Sequence, residues 1–304
     1  MVQTPVHIIS GFLGAGKTTA IINLLDKKPA NENWAILINE FGKISIDGQT
    51  LVSASAEGTV FEIVGGCICC SAKAYFAENL EKIIGQNRFH RILIEPSGLG
   101  GIDHISDLVK QHSHLLMMPI VCVVDITMTN HPRLKKLPIY RAQIQLADQI
   151  LFRKTELLES GQIDELKVQF DIDFPGKNYA GESFWDEFRL ATDYHQTNTK
   201  ESQFVAINSI ATGNKENYKE FSLKVDGKKV ISPKILAELL KSEPAIVRAK
   251  GYIYTGFVWQ LFNYTLTGFS TENCSGRGDG ELVVIYLETE PKGFDLLKTK
   301  LENL

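Results

Sequence analysis

The stretch VHIISGFLGAGKTTAIINLL, residues 6–25, decides the fold. An apolar, strand-like run ends in a glycine-rich turn, and a helix-patterned run follows at once. Gly11, Gly16, Lys17 and Thr18 match the pattern G-x-x-x-x-G-K-[ST]. Glycines let the backbone wrap a phosphate with its N–H groups pointing inward. The helix N-terminus that follows adds partial positive charge. Lys17 is placed to reach the β- and γ-phosphates, and the Thr18 hydroxyl is placed to ligate Mg²⁺. A glycine turn with a chance lysine would not need a strand before it and a helix after it. The chain reads as a P-loop nucleotide-binding protein.

A phosphate loop also needs an acidic group at a neighbouring strand end. RILIEPSGLG, 91–100, supplies Glu95 after an apolar run, and the N–H of Gly98 could meet a γ-phosphate. Asp125 ends a second apolar run and is the other acidic candidate. Further strands are expected at 34–41, within 51–66, at 117–126 and at 147–154. Helices are expected over 17–26 and 71–85, with others before the runs at 117 and 147. Alternating strands and helices with short connections predict an α/β fold, a mostly parallel sheet covered on both faces. The polar stretch ATDYHQTNTKES, 191–202, reads as a linker. This divides the chain into a nucleotide-binding domain, 1–195, and a smaller α+β domain, 203–304. In the latter, strands are expected at 203–208 and 281–288, a long β-rich segment at 245–266, and helices at 232–242 and 291–302.

Composition excludes some classes. The 304 residues carry a formal net charge of −4, without the basic excess of a nucleic-acid footprint. The N-terminus shows no basic segment leading into a long apolar one, so no secretory signal is expected. The longest apolar run, LLMMPIVCVVD at 115–125, contains Pro119 and is too short to span a bilayer. No membrane partner and a cytoplasmic location are expected, with thiols kept reduced.

Three of the five cysteines fall in GGCICC, 65–70. Thiolates favour Zn²⁺ or Cu⁺ over Mg²⁺ or Ca²⁺. Three sulfurs at about 2.3 Å leave one tetrahedral position open, which suits a metal that must leave. Glu40, a histidine, water or a client protein could fill it. In a straight strand Cys67 and Cys69 would share a face and Cys70 would oppose them, so a turn at Gly65-Gly66 is required. Cys122 and Cys274 read as small core residues.

Taken together, GFLGAGKTT, INEFGKISID (38–47), GGCICC and IEPSGLG stand in the order found in the CobW family of P-loop GTPases, which the chain resembles. AIVRAKGYIY, 245–254, is similar to the opening of that family's C-terminal domain. The resemblance implies a metallochaperone that binds Zn²⁺ or a similar metal and couples it to GTP hydrolysis. It implies that Gly14, Ala15, Gly16, Lys17, Thr18 and Thr19 hold phosphates and Mg²⁺. It places Glu40 and Asp47 in a first switch, Glu95 and Gly98 in a second, and the metal on Cys67, Cys69 and Cys70. Lys17, Glu40 and Glu95 are then the expected catalytic groups, with Thr18, Glu95 and Glu40 also metal-facing. Two departures stand out. Lys43 occupies a position where many members carry an acidic residue. Arg153-Lys154-Thr155-Glu156 replaces the guanine-reading N-K-x-D, so Lys154 is kept and Glu156 stands for the aspartate. Changing two of three readers weakens base discrimination. GTP is the expected nucleotide and ATP the alternative.

The histidines at 104, 112, 114 and 131 read as solvated or as helix-end partners rather than a second metal site. Trp259, Phe262 and Tyr264 read as core rather than a partner surface. The expected function is GTP-dependent delivery of a metal to a client metalloprotein, by a monomer or homodimer with a low intrinsic rate. Two alternatives stay open: a metal store or sensor with residual hydrolysis, and an ATP-using enzyme with structural cysteines.

Overall fold

The computed structural model describes residues 3–40, 59–64, 70–86, 88–96, 102–180, 218–227, 229–266, 268–274, 279–287 and 299. The chain separates into two compact units, Met1–Tyr194 and His195–Leu304.

The first unit is built on strands β1 (Thr4–Ser10), β2 (Trp34–Glu40), β3 (Thr59–Val64), β4 (Arg91–Glu95), β5 (Leu115–Met117), β6 (Val121–Asp125), β7 (Gln149–Arg153) and β8 (Asn178–Tyr179). They form one sheet in the order β3-β2-β4-β1-β6-β7-β8, with β5 also paired to β1, and every pair is parallel. A parallel sheet buried on both faces should read as unbroken apolar runs. β4 and β6 do so, each with all five residues buried. Helix Lys17–Leu25 buries Lys17, Ala20, Ile21 and Leu24, spaced to fall on one face. Ile21 and Leu24 pack into one core with Ile9, Ile36, Leu93 and Val123 from four neighbouring strands.

The run expected as one strand over 117–126 is two. β5 pairs with the start of β1 and β6 with its end, and Met118 N donates to the Val6 carbonyl at 3.0 Å between them. Pro119 has no N–H to continue the ladder.

The second unit holds an antiparallel sheet, β12-β11-β10-β13-β9, made from β9 (Tyr218–Asp226), β10 (Ile246–Tyr254), β11 (Trp259–Thr265), β12 (Gly268–Cys274) and β13 (Asp279–Leu287). Helix Pro233–Ser242 packs on it through buried Leu236, Ala237 and Leu240. The β-rich segment 245–266 is the antiparallel hairpin of β10 and β11. Thr255 N and Oγ1 both donate to the Val258 carbonyl, at 3.1 and 2.9 Å, and close the turn. Trp259, Phe262 and Tyr264 are buried in the sheet. Cys274 is only half-buried, because β12 is an edge strand with most side chains exposed. The segments 203–208 and 291–302 lie outside the described residues, Thr299 excepted.

At the edge of the first sheet where β2 and β4 begin, the Arg91 side chain is fully buried. Its Nε donates to Glu32 Oε2 at 2.8 Å. Trp34 Nε1 donates to the same oxygen at 2.5 Å. Burial alone would push the Glu32 carboxyl up, but bonds from Arg91 and Trp34 and the charges of Arg91 and His90 hold it below its ordinary value. The stabilisation from a depressed carboxyl is complete above its ordinary pKa of 4.5 and is lost as pH falls through the lower folded value. Glu32→Ala removes the carboxylate that both Arg91 and Trp34 bond, so it should cost about 3–5 kcal/mol in denaturant unfolding of this unit at neutral pH. Adding Arg91→Met should recover part of that loss, and the gap between wild type and Glu32→Ala should narrow as the solution is acidified.

Candidate functional site

All the strands of the first sheet run the same way, so the loops after β1, β4, β6 and β7 gather at one edge. At that edge Ser10 Oγ donates to the Val121 carbonyl at 3.1 Å and ties the end of β1 to β6. Gly11 follows at φ +145°, and a Cβ there would lie 2.4 Å from the Val123 carbonyl oxygen. No other residue type fits this approach. Ala15 N donates to the Phe12 carbonyl at 3.2 Å, and the buried Lys17 donates its Nζ to the same oxygen at 3.4 Å. Gly16, at φ +96°, caps helix Lys17–Leu25 and has no side chain to bond the first N–H groups. Those donors and the lysine are what a bound anion would take.

Glu95 ends β4 and is 5% exposed. Thr18 Oγ1 donates to its two carboxylate oxygens at 3.3 and 3.5 Å. A hydroxyl and a carboxylate facing each other at the foot of a phosphate loop are hard oxygen donors of the kind Mg²⁺ takes alongside nucleotide phosphates. Thr18 and Glu95 therefore fit that ion.

Asp125 does not join them. Its Oδ1 accepts from Thr127 N at 3.1 Å and Thr127 Oγ1 at 2.6 Å, capping the turn Ile126–Met128. Its Oδ2 is 2.5 Å from Lys154 Nζ. Lys154 stands at φ +63°, the one non-glycine residue among those described with a left-handed backbone. That conformation costs a side chain about 1–2 kcal/mol. The preceding Arg153 lays its stem beside the loop, its Cβ and Cγ 3.9 Å from where a Gly16 Cβ would be. Glu156 is exposed on the turn Thr155–Leu157.

One contributor has no motif. The Phe12 ring meets Tyr140 edge-on at 6.0 Å, and Tyr140 meets Phe174 at 6.4 Å. Burial, with Cys122, Asp125 and Asp173 nearby, pushes the Tyr140 phenol up. Tyr140 lies on helix Pro138–Leu146, 128 positions from Phe12, and only the fold brings them together. Burial also drives the Cys122 thiol to about 12, so it is inert.

Cys67, Cys69 and Gly98 fall outside the described residues, as do the side chains of Glu40 and Cys70. The backbone flanking the cysteines is described. β3 ends at Val64, level with Glu40, and Glu95 is level with Ile38 on β2. Helix Cys70–Gly85 starts after a five-residue connection. Among the described residues no group of three or more His, Cys, Asp or Glu side chains is placed to hold a metal ion. The His112 and His114 rings meet edge-on at 5.7 Å, with His112 Nε2 3.5 Å from Glu81. His131 Nδ1 accepts from Leu134 N at the start of helix Pro132–Lys136.

The two loop glycines should respond differently to alanine. Gly11→Ala meets both the left-handed φ and the Val123 carbonyl. Gly16→Ala meets the strained φ but has only Arg153 nearby, at an ordinary contact distance. Gly16→Ala should cost about 1–2 kcal/mol in thermal or denaturant unfolding, and Gly11→Ala measurably more.

Residues 5–172, more than half of the chain, match the family described as CobW/HypB/UreG, nucleotide-binding domain. The zinc chaperone YeiR of Escherichia coli strain K12 is 36% identical over 157 residues, covering 51% of this chain and 47% of the relative. The zinc-regulated GTPase metalloprotein activator 1 of Schizosaccharomyces pombe is 30% identical over 167 residues, covering 51% and 40%. The matches thus span about half or less of the curated relatives' length. A crystal structure of Zn(II)-bound YjiA GTPase from E. coli aligns over 99% of both chains at 18% identity and a TM-score of 0.43. Among the described residues no helix is long and apolar enough to cross a membrane. With its phosphate loop, its Thr18–Glu95 pair and the matched segment 5–172, the chain belongs to the CobW/HypB/UreG nucleotide-binding-domain family.

Proposed function

We propose that the chain is a GTP hydrolase that couples GTP binding and hydrolysis to the binding and delivery of a transition metal, zinc first. The observation that carries the nucleotide half is the Thr18 hydroxyl on the buried Glu95 carboxylate, beside a glycine loop that opens a helix. The backbone N–H groups from Gly14 to Thr19 bind the phosphates. Lys17 exchanges the Phe12 carbonyl for phosphate oxygens and balances their charge. Thr18 and Glu95 would hold Mg²⁺, which would supply neutralisation of the phosphate charge. Glu40 and Glu95 orient the attacking water and the γ-phosphate side of the site, and Gly98 contributes an N–H there. Lys154 and Glu156 face the base.

The metal half rests on Cys67, Cys69 and Cys70 and on the relatives named as zinc chaperones. Support comes from topology. The cysteine segment joins the end of β3 to helix Cys70–Gly85, on the edge where β4 ends in Glu95. Two strand spacings separate β3 from β4, about 10 Å. Ordering of the segments around a γ-phosphate would then couple to metal binding, as in other nucleotide switches. Zinc is the cargo, and the domain 203–304 recognises the client metalloprotein. The site of action is the cytoplasm, where the thiols stay reduced.

Affinity and turnover with GTP and ATP, with and without Zn²⁺, test this on wild type and a Cys67→Ser, Cys69→Ser, Cys70→Ser triple variant. GTP should bind more tightly than ATP, and Zn²⁺ should shift affinity or turnover in wild type only. Reciprocity requires GTP to shift zinc affinity by the same factor. Indifference of metal and nucleotide to each other would leave the cysteines outside the nucleotide cycle. Preference for ATP would mean that Arg153 and Glu156 have changed the base read.

A further inference from the structure

Asp125 and Lys154 lie side by side at the ends of adjacent strands. The β6–β7 ladder sets Asp125 opposite Arg153, and the left-handed turn at Lys154 follows immediately. The Asp125 side chain is 7% exposed and Lys154 is 33% exposed, and their charged atoms are 2.5 Å apart. Thr127 saturates the other carboxylate oxygen from its N–H and its hydroxyl. The carboxylate is thus fixed from two sides with one oxygen left for Lys154. A left-handed lysine at the end of a strand persists only where its surroundings hold it. Here the holding group is a buried, capped carboxylate.

The location gives this pair a task. The stem of Arg153 lies against Gly16, so the segment 153–156 borders the start of the phosphate-binding helix. The Ser10 bond to Val121 and the Gly11 approach to Val123 tie the loop to β6, the strand that carries Asp125. A nucleotide with its phosphates on this loop has the ends of β6 and β7 as its neighbours. Glu156 is exposed, whereas the Lys154 ammonium is held against the Asp125 carboxylate.

From this juxtaposition we infer that Asp125 is a positioning residue: by pinning Lys154 it builds the base-binding half of the site and takes no part in binding phosphate or metal. The inference rests on the nucleotide reading above and adds to it the residue on which base affinity depends. Because the ammonium is already neutralised, Lys154 offers the nucleoside its fixed stem rather than a free charge for the phosphates.

The test compares GTP with inorganic tripolyphosphate, which has phosphates and no nucleoside. Both would be titrated with Mg²⁺ into the full chain as wild type, Asp125→Asn, Lys154→Met and the double variant. Asp125→Asn keeps an oxygen for Thr127 and loses the charge that holds Lys154. It should weaken GTP about 10- to 100-fold, the range for a charged hydrogen bond, and leave tripolyphosphate binding unchanged. Lys154→Met should do the same, and the double variant should be no worse than either alone. Lys154 is the more exposed partner, so its variant reads the same coupling if Asp125→Asn fails to fold. Wild-type GTP affinity retained in both single variants would overturn the inference. So would an equal loss for GTP and tripolyphosphate, which would make the pair a support of the whole loop. If wild type itself bound neither ligand, the nucleotide reading would fall and this inference with it.

Discussion

The approach of Gly11 to the Val123 carbonyl is the constraint on which the site depends. β1 and β6 are neighbours, and the chain leaves β1 so close to β6 that a methyl group would not fit between them. With Ser10 bonded to Val121, this contact sets the point from which the loop turns and therefore where Lys17 and Thr18 begin their helix. Thr18 then meets a carboxylate on β4, the strand on the other side of β1. The phosphate loop is held by one neighbour and supplied with its acid by the other.

Parallel strands make this economical. Every strand of the first sheet ends at the same edge, so groups far apart in sequence converge without long loops. Glu95, Asp125 and Lys154 all stand at or just past strand ends. The opposite edge carries a polar cluster of a different kind, in which Arg91, Glu32 and Trp34 satisfy one another. A fully buried guanidinium there is bound to its carboxylate at 2.8 Å, while at the other edge Glu95 accepts from the Thr18 hydroxyl at 3.3 and 3.5 Å. The first pairs a carboxylate with a cation of the chain's own, and the second sets a carboxylate beside a hydroxyl, hard oxygen donors of the kind Mg²⁺ takes.

Much of the first unit was legible because its strands are buried on both faces and so read as unbroken apolar runs between glycine-rich or polar connections. The phosphate loop was legible because its glycines, lysine and threonine lie within eight residues. The strands of the second unit were harder to see. β12 is GFSTENC, polar and largely exposed, and it is a strand only because its backbone pairs with β11 along seven residues. Pro119 was visible as an interruption, but that β5 and β6 share β1 as a partner depends on the register of a third strand. Asp125 was legible as a strand-end acid. Its engagement by Thr127 and Lys154, and hence its separation from the Thr18–Glu95 pair, was not.

The sequence by itself determined the local chemistry: which residues can wrap a phosphate, which strand ends carry an acid, and where three thiols stand together. It could do so because each of those signals is carried by a few neighbouring residues. Tertiary structure alone decided how they are shared out. Glu95 faces Thr18, Asp125 is spent on Lys154, Arg153 lies against Gly16, and Tyr140 backs Phe12. Those partnerships follow from strand order and register, which depend on packing between segments distant in the chain and leave no mark on the spacing of any one of them.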